Sequence, residues 1–429
     1  MRSAMGEDGA VSVLRRGTNL PRMGDFNQSV VLEAIRRSEG LSRIELVEAT
    51  GLSAQTVTNI TRRLLDHGLI EEGGRTIKGP GKPRTTLRLI PRSRLSAGVH
   101  LDPALMTFVL LDLTGAVIAR SVRRTPANDP LRIIRAMGQA VEELIARTGV
   151  DRASIAGVGV AAPGPLDAER GTVIDPPKLH EWHRVPLREA LAEETGLPVT
   201  LEKDTTAAVF AELWTGDDPP DASLLFVYLG MGIGTGLVRD GEVVRGSSRN
   251  VGEVGHIIVD PDGPPCGCGR RGCVDVVCTP QAIVEQAERA GVFDDDRVGS
   301  DAESVDERFR QLCDRAAAGE ESAQHVLERA ARNLSVLISA LTNMLDVDRV
   351  VLGGPFWSRV SSVYLRELPA LLDLQSATRA VRDLPVAGSV VGDDVGAVGA
   401  ACVVLADVLS PRASSLLLGE PDREQPPGP

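Results

Sequence analysis

Residues 252–275 read GEVGHIIVDPDGPPCGCGRRGCVD, and His256, Cys266, Cys268 and Cys273 stand there in the order H-x9-C-x-C-x4-C. One imidazole and three thiolates form a complete tetrahedral donor set for Zn(II), with no coordination position left for water or substrate. The pattern therefore predicts a structural metal that pins the loop carrying Glu253 and His256 and activates no nucleophile. The chain has six cysteines, and its first 24 residues carry Arg and Gly without an apolar signal core. Three cysteines crowded into eight residues of such a chain favour metal over disulfides. Cys278, Cys313 and Cys402 read as ordinary buried thiols.

Outward from this stretch the pattern is α/β. Residues 223–229 and 235–238 read as strands around a glycine turn made of Gly230, Gly232, Gly234 and Gly236. Residues 323–345 have the period of a long helix apolar on one face, and residues 350–352 form a strand running into Gly353-Gly354. Nearer the N-terminus, residues 97–101, 107–112 and 117–123 read as three strands with a turn at Thr114-Gly115. An amphipathic helix over 131–148 and a strand over 155–160 follow.

The first 94 residues differ in charge. They hold 16 Lys and Arg against 10 Asp and Glu, whereas the remainder holds 31 against 49. A basic head on an acidic body lets only the head meet a polyanion, and nucleic acid is the leading candidate. Within the head, residues 27–38 have helical spacing through Val31, Leu32 and Ile35. A second helix starts at Ser42, with Glu45 completing a capping box, and stops at Gly51. A third, with Ser53 as N-cap, runs to Gly68 with Val57, Ile60 and Leu64 as its core stripe. Gln55, Asn59, Arg62 and Arg63 then face outward, where amides and guanidinium groups can read base edges, and Thr56 and Thr58 can reach phosphates. Residues 69–72, a Gly73-Gly74 turn, a loop with Arg75, Lys78, Lys82 and Arg84, and a strand over 85–89 read as a hairpin wing whose cationic tip suits a minor groove. No apolar run approaches the roughly 20 residues of a membrane span, so a cytoplasmic protein without membrane contact is expected.

The body resembles a known family. GVGVAAPGP (157–165), VPLREAL (185–191), LEKDTTAAVFAE (201–212), LGMGIGTG (229–236), GEVGH (252–256) and CGCGRRGCVD (266–275) are similar to the successive signatures of the ROK family, which groups repressors with sugar kinases. The resemblance implies a winged helix-turn-helix followed by an actin-like, ribonuclease-H-like two-lobed sugar-kinase-type domain, assembled as a homodimer or homotetramer. The domains expected are an arm over 1–24, a winged helix over 25–92, a first lobe over 95–204 with a C-terminal helix near 396–409 packing back on it, a second lobe over 205–395 and a tail over 411–429. The four metal ligands match the family's zinc site. The family's ligand ring would comprise Asp204, Glu253, His256 and Asp275, with Asp204 at the position of the kinases' general base.

Three departures from the family pattern matter. Asp275 stands where Glu is usual, and Lys178 and Lys203 replace two asparagines that commonly contact sugar. Only four lysines occur in the chain, so half of them fall at the expected pocket. Either they neutralise an anionic sugar, or Lys203 pairs with Glu202, Asp204 or Glu253 and leaves a pocket indifferent to plain sugars. A further departure is at the first phosphate loop. Where ROK kinases carry D-x-G-G-T-K, the chain reads His100-Leu101-Asp102-Pro103-Ala104-Leu105. Asp102 adds a repelling charge, Pro103 removes a donor and no glycine remains, so ATP loses its cradle. The sequence thus points to a transcriptional regulator, mainly a repressor, of carbohydrate uptake and catabolism genes, bound to an inverted-repeat operator and controlled by a sugar or sugar derivative. An ATP-dependent sugar kinase with an accessory DNA-binding head is the alternative.

Overall fold

The computed structural model describes residues 20–409 apart from 77–83, 127–128, 180, 217–218, 220, 294–298 and 300; the side chains of 20–25, 75, 76, 408 and 409 are also outside the description. The expected arm ahead of residue 20, the wing tip with Lys78 and Lys82, and the tail over 411–429 lie outside the described residues, as does the side chain of Arg75. The chain divides into two compact units, residues 1–90 with 406–429, and residues 91–405.

The first unit contains α1 (Leu20–Arg36), β1 (Leu41–Ser42), α2 (Arg43–Thr50), α3 (Ala54–Asp66), β2 (Ile70–Thr76) and β3 (Arg84–Leu89), with an antiparallel sheet in the order β1-β3-β2. Helix α1 starts at Leu20, ahead of the expected residue 27. Val31 and Ile35 of α1, Leu46 of α2, and Val57, Ile60 and Leu64 of α3 are at most 2 % exposed and form the core. Ser42 Oγ accepts from the Glu45 amide while the Glu45 carboxylate accepts from the Ser42 amide, so the capping box satisfies two orphan donors of α2. Gly51 ends α2 at φ 68°, where a side chain would be strained.

Gly73-Gly74 is not the turn of the wing. Strand β2 runs through both glycines, and the register against β3 shifts between Glu72 and Arg75, so the pair forms a β-bulge. A Cβ on Gly73 would lie 2.9 Å from Thr86 Oγ1, and that hydroxyl donates to the Gly74 carbonyl at 2.9 Å. Removing Cβ at this position is what lets the strand carry an extra residue and continue to Thr76.

The second unit is built from one sheet topology used twice. The first sheet comprises β4 (Leu95–Leu101), β5 (Leu105–Asp112), β6 (Val117–Arg124), β7 (Ile155–Ala162) and, beyond the short hairpin β8 (Leu166–Asp167) and β9 (Thr172–Val173), β10 (Val199–Lys203). The second comprises β11 (Leu224–Leu229), β12 (Ile233–Arg239), β13 (Glu242–Val244), β14 (Arg349–Gly353) and β15 (Val386–Gly388). Their orders are β10-β7-β4-β5-β6 and β13-β12-β11-β14-β15. In each, three antiparallel strands are followed by two strands added in parallel on the far side of the first. Between β6 and β7 runs α4 (Pro130–Thr148), N-capped by Asp129, and α5 (Leu187–Thr195) packs beside it over a core containing Phe108, Met137 and the fully buried Trp182. Helix α6 (Asp204–Thr215) leads from the first sheet to the second. The second lobe adds α7 (Val274–Val277), α8 (Pro280–Arg289), α9 (Ala302–Ala317), the 25-residue α10 (Glu321–Leu345) and α11 (Trp357–Gln375) around a core with Leu334, Ile338 and Phe309.

The final helix, α12 (Val395–Leu409), packs against β4 and β7. Ser96 Oγ of β4 donates to the Ala401 carbonyl at 3.0 Å. A Cβ on Gly159 would lie 1.9 Å from the Ala400 oxygen, so this strand admits the helix backbone only because it carries a bare α-carbon there.

Candidate functional site

On the head, α3 presents two faces. Val57, Ile60 and Leu64 are buried, and Gln55, Asn59, Arg62 and Arg63 are exposed. Gln55 Nε2 donates to Asn59 Oδ1 at 3.1 Å, which holds the two amides side by side on the outer face. The threonine hydroxyls are engaged inside the helix. Thr58 Oγ1 donates to the Ala54 carbonyl at 2.7 Å, and Thr56 Oγ1 lies 2.8 Å from the N-cap Ser53 Oγ. A hydroxyl has one proton to give, so Thr58 must break this bond before it can donate to a phosphate. Arg84 is exposed at the start of β3.

In the body, Lys178, Lys203, Asp204, Glu253, His256 and Asp275 all line one cavity of about 290 Å³. They come from the loop after β9, the β10–α6 junction, the stretch after β13 and α7, so four separate parts of the sequence converge. The two lysines behave differently. Lys203 is 3 % exposed, and its Nζ lies 2.6 Å from Glu253 Oε1 and donates to the Val251 carbonyl at 3.0 Å. Glu202, another of its three candidate partners, pairs instead with Arg245 at 2.9 Å. Lys178 Nζ donates to the neutral Gln281 Oε1 at 2.9 Å, with no carboxylate of the described residues in ion-pair contact. Burial pushes the Asp204 carboxyl up to about 6, against the pull of Lys203 and of the Thr205 amide, which donates to Asp204 Oδ1 at 2.7 Å.

Beside the cavity, the ligand atoms of His256, Cys266, Cys268 and Cys273 lie within 4.8 Å of one another. Cys266 Sγ is 3.5 Å from His256 Nδ1, and Cys268 Sγ is 3.7 Å from Cys273 Sγ. A tetrahedron with Zn–S bonds of about 2.3 Å has edges near 3.8 Å, so this quartet fits a metal ion of that size. The Arg270 backbone amide is the main influence that draws the Cys268 thiol down to about 6, while burial and the neighbouring thiols push Cys273 up to about 11. His256 serves both groups, lining the cavity and belonging to the quartet.

The model of the ROK family matches residues 97–407 of this chain, nearly the whole body. The chain belongs to the ROK family. A MarR family model matches residues 19–75, so the molecule is a ROK-type transcriptional regulator with a MarR-type winged-helix head. The xylose repressor of Caldicellulosiruptor bescii is 25 % identical over 390 residues, spanning 90 % of this chain and 96 % of that one. Among solved structures, a ROK family transcriptional regulator homologous to the E. coli MLC protein superposes with a TM-score of 0.73 at 24 % identity, covering 90 % of this chain and 98 % of the other. A ROK glucokinase from Streptomyces griseus, solved with glucose and AMPPNP, superposes with a TM-score of 0.61 at 26 % identity, covering 72 % of this chain and 98 % of that one.

This ROK chain also uses residues that its motifs did not single out. Tyr228 lines the cavity, and its hydroxyl lies 2.8 Å from His100 Nε2. Burial pushes the tyrosine upward and draws His100 down to about 4, so both are neutral. Tyr228 was open to notice as one of two tyrosines, placed two residues ahead of the glycine turn. Gln281, which holds Lys178, has no motif around it.

Proposed function

We propose that this ROK regulator represses genes of carbohydrate uptake and catabolism, and that a small sugar or sugar derivative in the cavity around Asp204 controls its hold on DNA. The convergence of Lys178, Lys203, Asp204, Glu253, His256 and Asp275 on one monosaccharide-scale cavity carries this reading. Carboxylates accept from sugar hydroxyls, and lysine amines donate to ring oxygens. The Lys203–Glu253 pair was expected to leave a pocket indifferent to plain sugars, but about 290 Å³ stays open beside it, and with only Lys178 answering to Asp102, Asp204 and Asp275 an uncharged sugar suits that space better than a phosphorylated one. Gln55, Asn59, Arg62 and Arg63 would read base edges, with Arg75, Lys78, Lys82 and Arg84 of the wing on the backbone and minor groove. Working on the chromosome in the cytoplasm, a homodimer or homotetramer would place two α3 helices on an inverted repeat with half-sites about 34 Å apart.

Zn(II) held by His256, Cys266, Cys268 and Cys273 would be structural, fixing the loop that carries Glu253 and His256. Cys268→Ser is expected to abolish stoichiometric zinc and lower the melting temperature; unchanged zinc content refutes the assignment. Retained Asp204 is what favours a kinase, but Asp102-Pro103-Ala104 in place of a glycine loop supports a non-catalytic body, and an ADP-release assay over a sugar panel should show no turnover. The deciding experiment is chromosome-wide mapping of the tagged protein. Peaks over a shared inverted repeat beside sugar transport or catabolic genes, released by one sugar, are expected. An absence of specific peaks would overturn the regulator reading.

A further inference from the structure

Gln55 and Asn59 stand one turn apart on α3, both exposed, with Gln55 Nε2 donating to Asn59 Oδ1 at 3.1 Å. The helix beneath them is anchored from two other elements. Arg43 of α2 donates through Nε to the buried Thr61 Oγ1 at 3.2 Å, and its Nη2 lies 3.2 Å from Glu72 Oε1 of β2. The hydroxyls nearby are spent on the helix itself. Ser53 Oγ accepts from the Thr56 amide at 3.1 Å and lies 2.8 Å from Thr56 Oγ1, while Thr58 Oγ1 donates to the Ala54 carbonyl. The paired amides, in contrast, have donors and acceptors left over, and they are held on a fixed base.

The hydrogen bond fixes both the plane and the sense of the Asn59 amide, because turning that amide alone end for end would set two NH2 groups against each other. Asn59 Oδ1 has two lone pairs, and Gln55 uses one. The other, beside the Nδ2 protons, presents an acceptor and a donor next to each other. Of the four base edges in a major groove, only adenine shows the complement, an N6 amine beside the N7 acceptor. Guanine shows two acceptors, cytosine an amine alone, and thymine a carbonyl beside a methyl group. We propose that Gln55 and Asn59 act as one reader of a single adenine in each half-site: Asn59 makes the bidentate contact, and Gln55 is a positioning residue that holds its amide for it. Ordering the side chain before DNA arrives lowers the cost of binding, so Gln55 matters without touching the base. This inference rests on the DNA-binding reading above and adds to it the base that α3 recognises.

The test uses the full-length protein and duplexes that wild type selects from a random-sequence library. Each selected half-site should hold one A·T pair whose replacement by any other pair weakens wild-type binding about tenfold. Asn59→Ala should lose that preference while keeping the others. Gln55→Ala should weaken it about threefold at the same base pair, and the double variant should bind no worse than Asn59→Ala. A duplex with 7-deazaadenine at that position, where C–H replaces N7, should cost wild type about fivefold and Asn59→Ala nothing. Both side chains are exposed and alanine suits a helix, so the variants should melt like wild type. An adenine preference that survives Asn59→Ala, a Gln55→Ala effect at a different base pair, additive losses in the double variant, or a 7-deazaadenine duplex bound as tightly as its parent would each overturn the shared reader alone. A wild type that selects no sequence would overturn it together with the regulator reading.

Discussion

The turn after the first strand occurs twice in the body, once in each copy of the repeated sheet, and the two versions have opposite chemistry. In the first lobe it is Asp102-Pro103-Ala104, which carries a carboxylate and lacks the proline N–H; in the second it is Gly230-Met231-Gly232, a single side chain flanked by glycines and closed by the Gly230 amide donating to the Gly232 carbonyl at 3.0 Å. The topology is the same, so the difference cannot come from the fold. A repeated scaffold brings both turns to the wall of one cavity, and the residues in those turns decide what chemistry each offers there.

The sharpest way to break this contrast is His100→Asp, which restores a carboxylate at the end of β4. It deletes the bond to Tyr228 and buries a further acid beside Asp102, Asp204 and Asp394, so a loss on the order of 3 kcal/mol is expected by chemical denaturation. Melting with the wild type would mean that the His100–Tyr228 hydrogen bond contributes little.

A smaller effect is expected at Asp204, and it depends on pH. Its folded-state value, about 6, lies above the ordinary 3.8, so the ionised form is penalised in the folded protein. The stability associated with this group is therefore present below about pH 4 and lost as pH rises through about 6. Asp204→Asn should melt like wild type near pH 4 and a few degrees higher at pH 8; a pH-independent difference between the two proteins would count against burial as the cause. The smallest effect is expected within the glycine turn. Gly232→Ala meets no atom within 4 Å and should change stability by about 0.5 kcal/mol or less, whereas Gly234→Ala would put a Cβ 2.5 Å from Thr205 Cγ2 and should cost measurably more. Equal melting of these two variants would show that the turn can shift, and with it Met231.

Much of this was legible in the sequence where a short-range rule applied. The Ser42–Glu45 capping box, the Val57, Ile60 and Leu64 stripe, and the clustering of His256 with Cys266, Cys268 and Cys273 each involve residues within one short stretch of chain, and each is found in the structure. The six cavity residues were reachable through the ordered family motifs, which carry long-range information that composition does not. What was missed depends on contacts between distant segments. Two adjacent glycines signal a turn and a bulge equally well, and only pairing of Glu72 and Arg75 with β3 distinguishes them. Lys203 had three acids within reach along the chain or in the pocket, and its pairing with Glu253, while Arg245 takes Glu202, depends on residues more than 40 positions away. Strand β1, two residues long, is defined only by its partner, Leu41 opposite Leu87 and Ser42 opposite Thr86.

The hydrogen bond from Ser96 to Ala401 spans 305 positions, which sets a schedule for synthesis. The head's helices and hairpin are made from neighbouring residues and can form while the rest is still being translated. The first sheet cannot: β4 and β7 remain uncovered on the face that α12 occupies until residue 400 or so has left the ribosome. A nascent chain stalled near residue 390 would therefore carry the helices and hairpin of its head on an unfinished body, with an apolar sheet face open to chaperones.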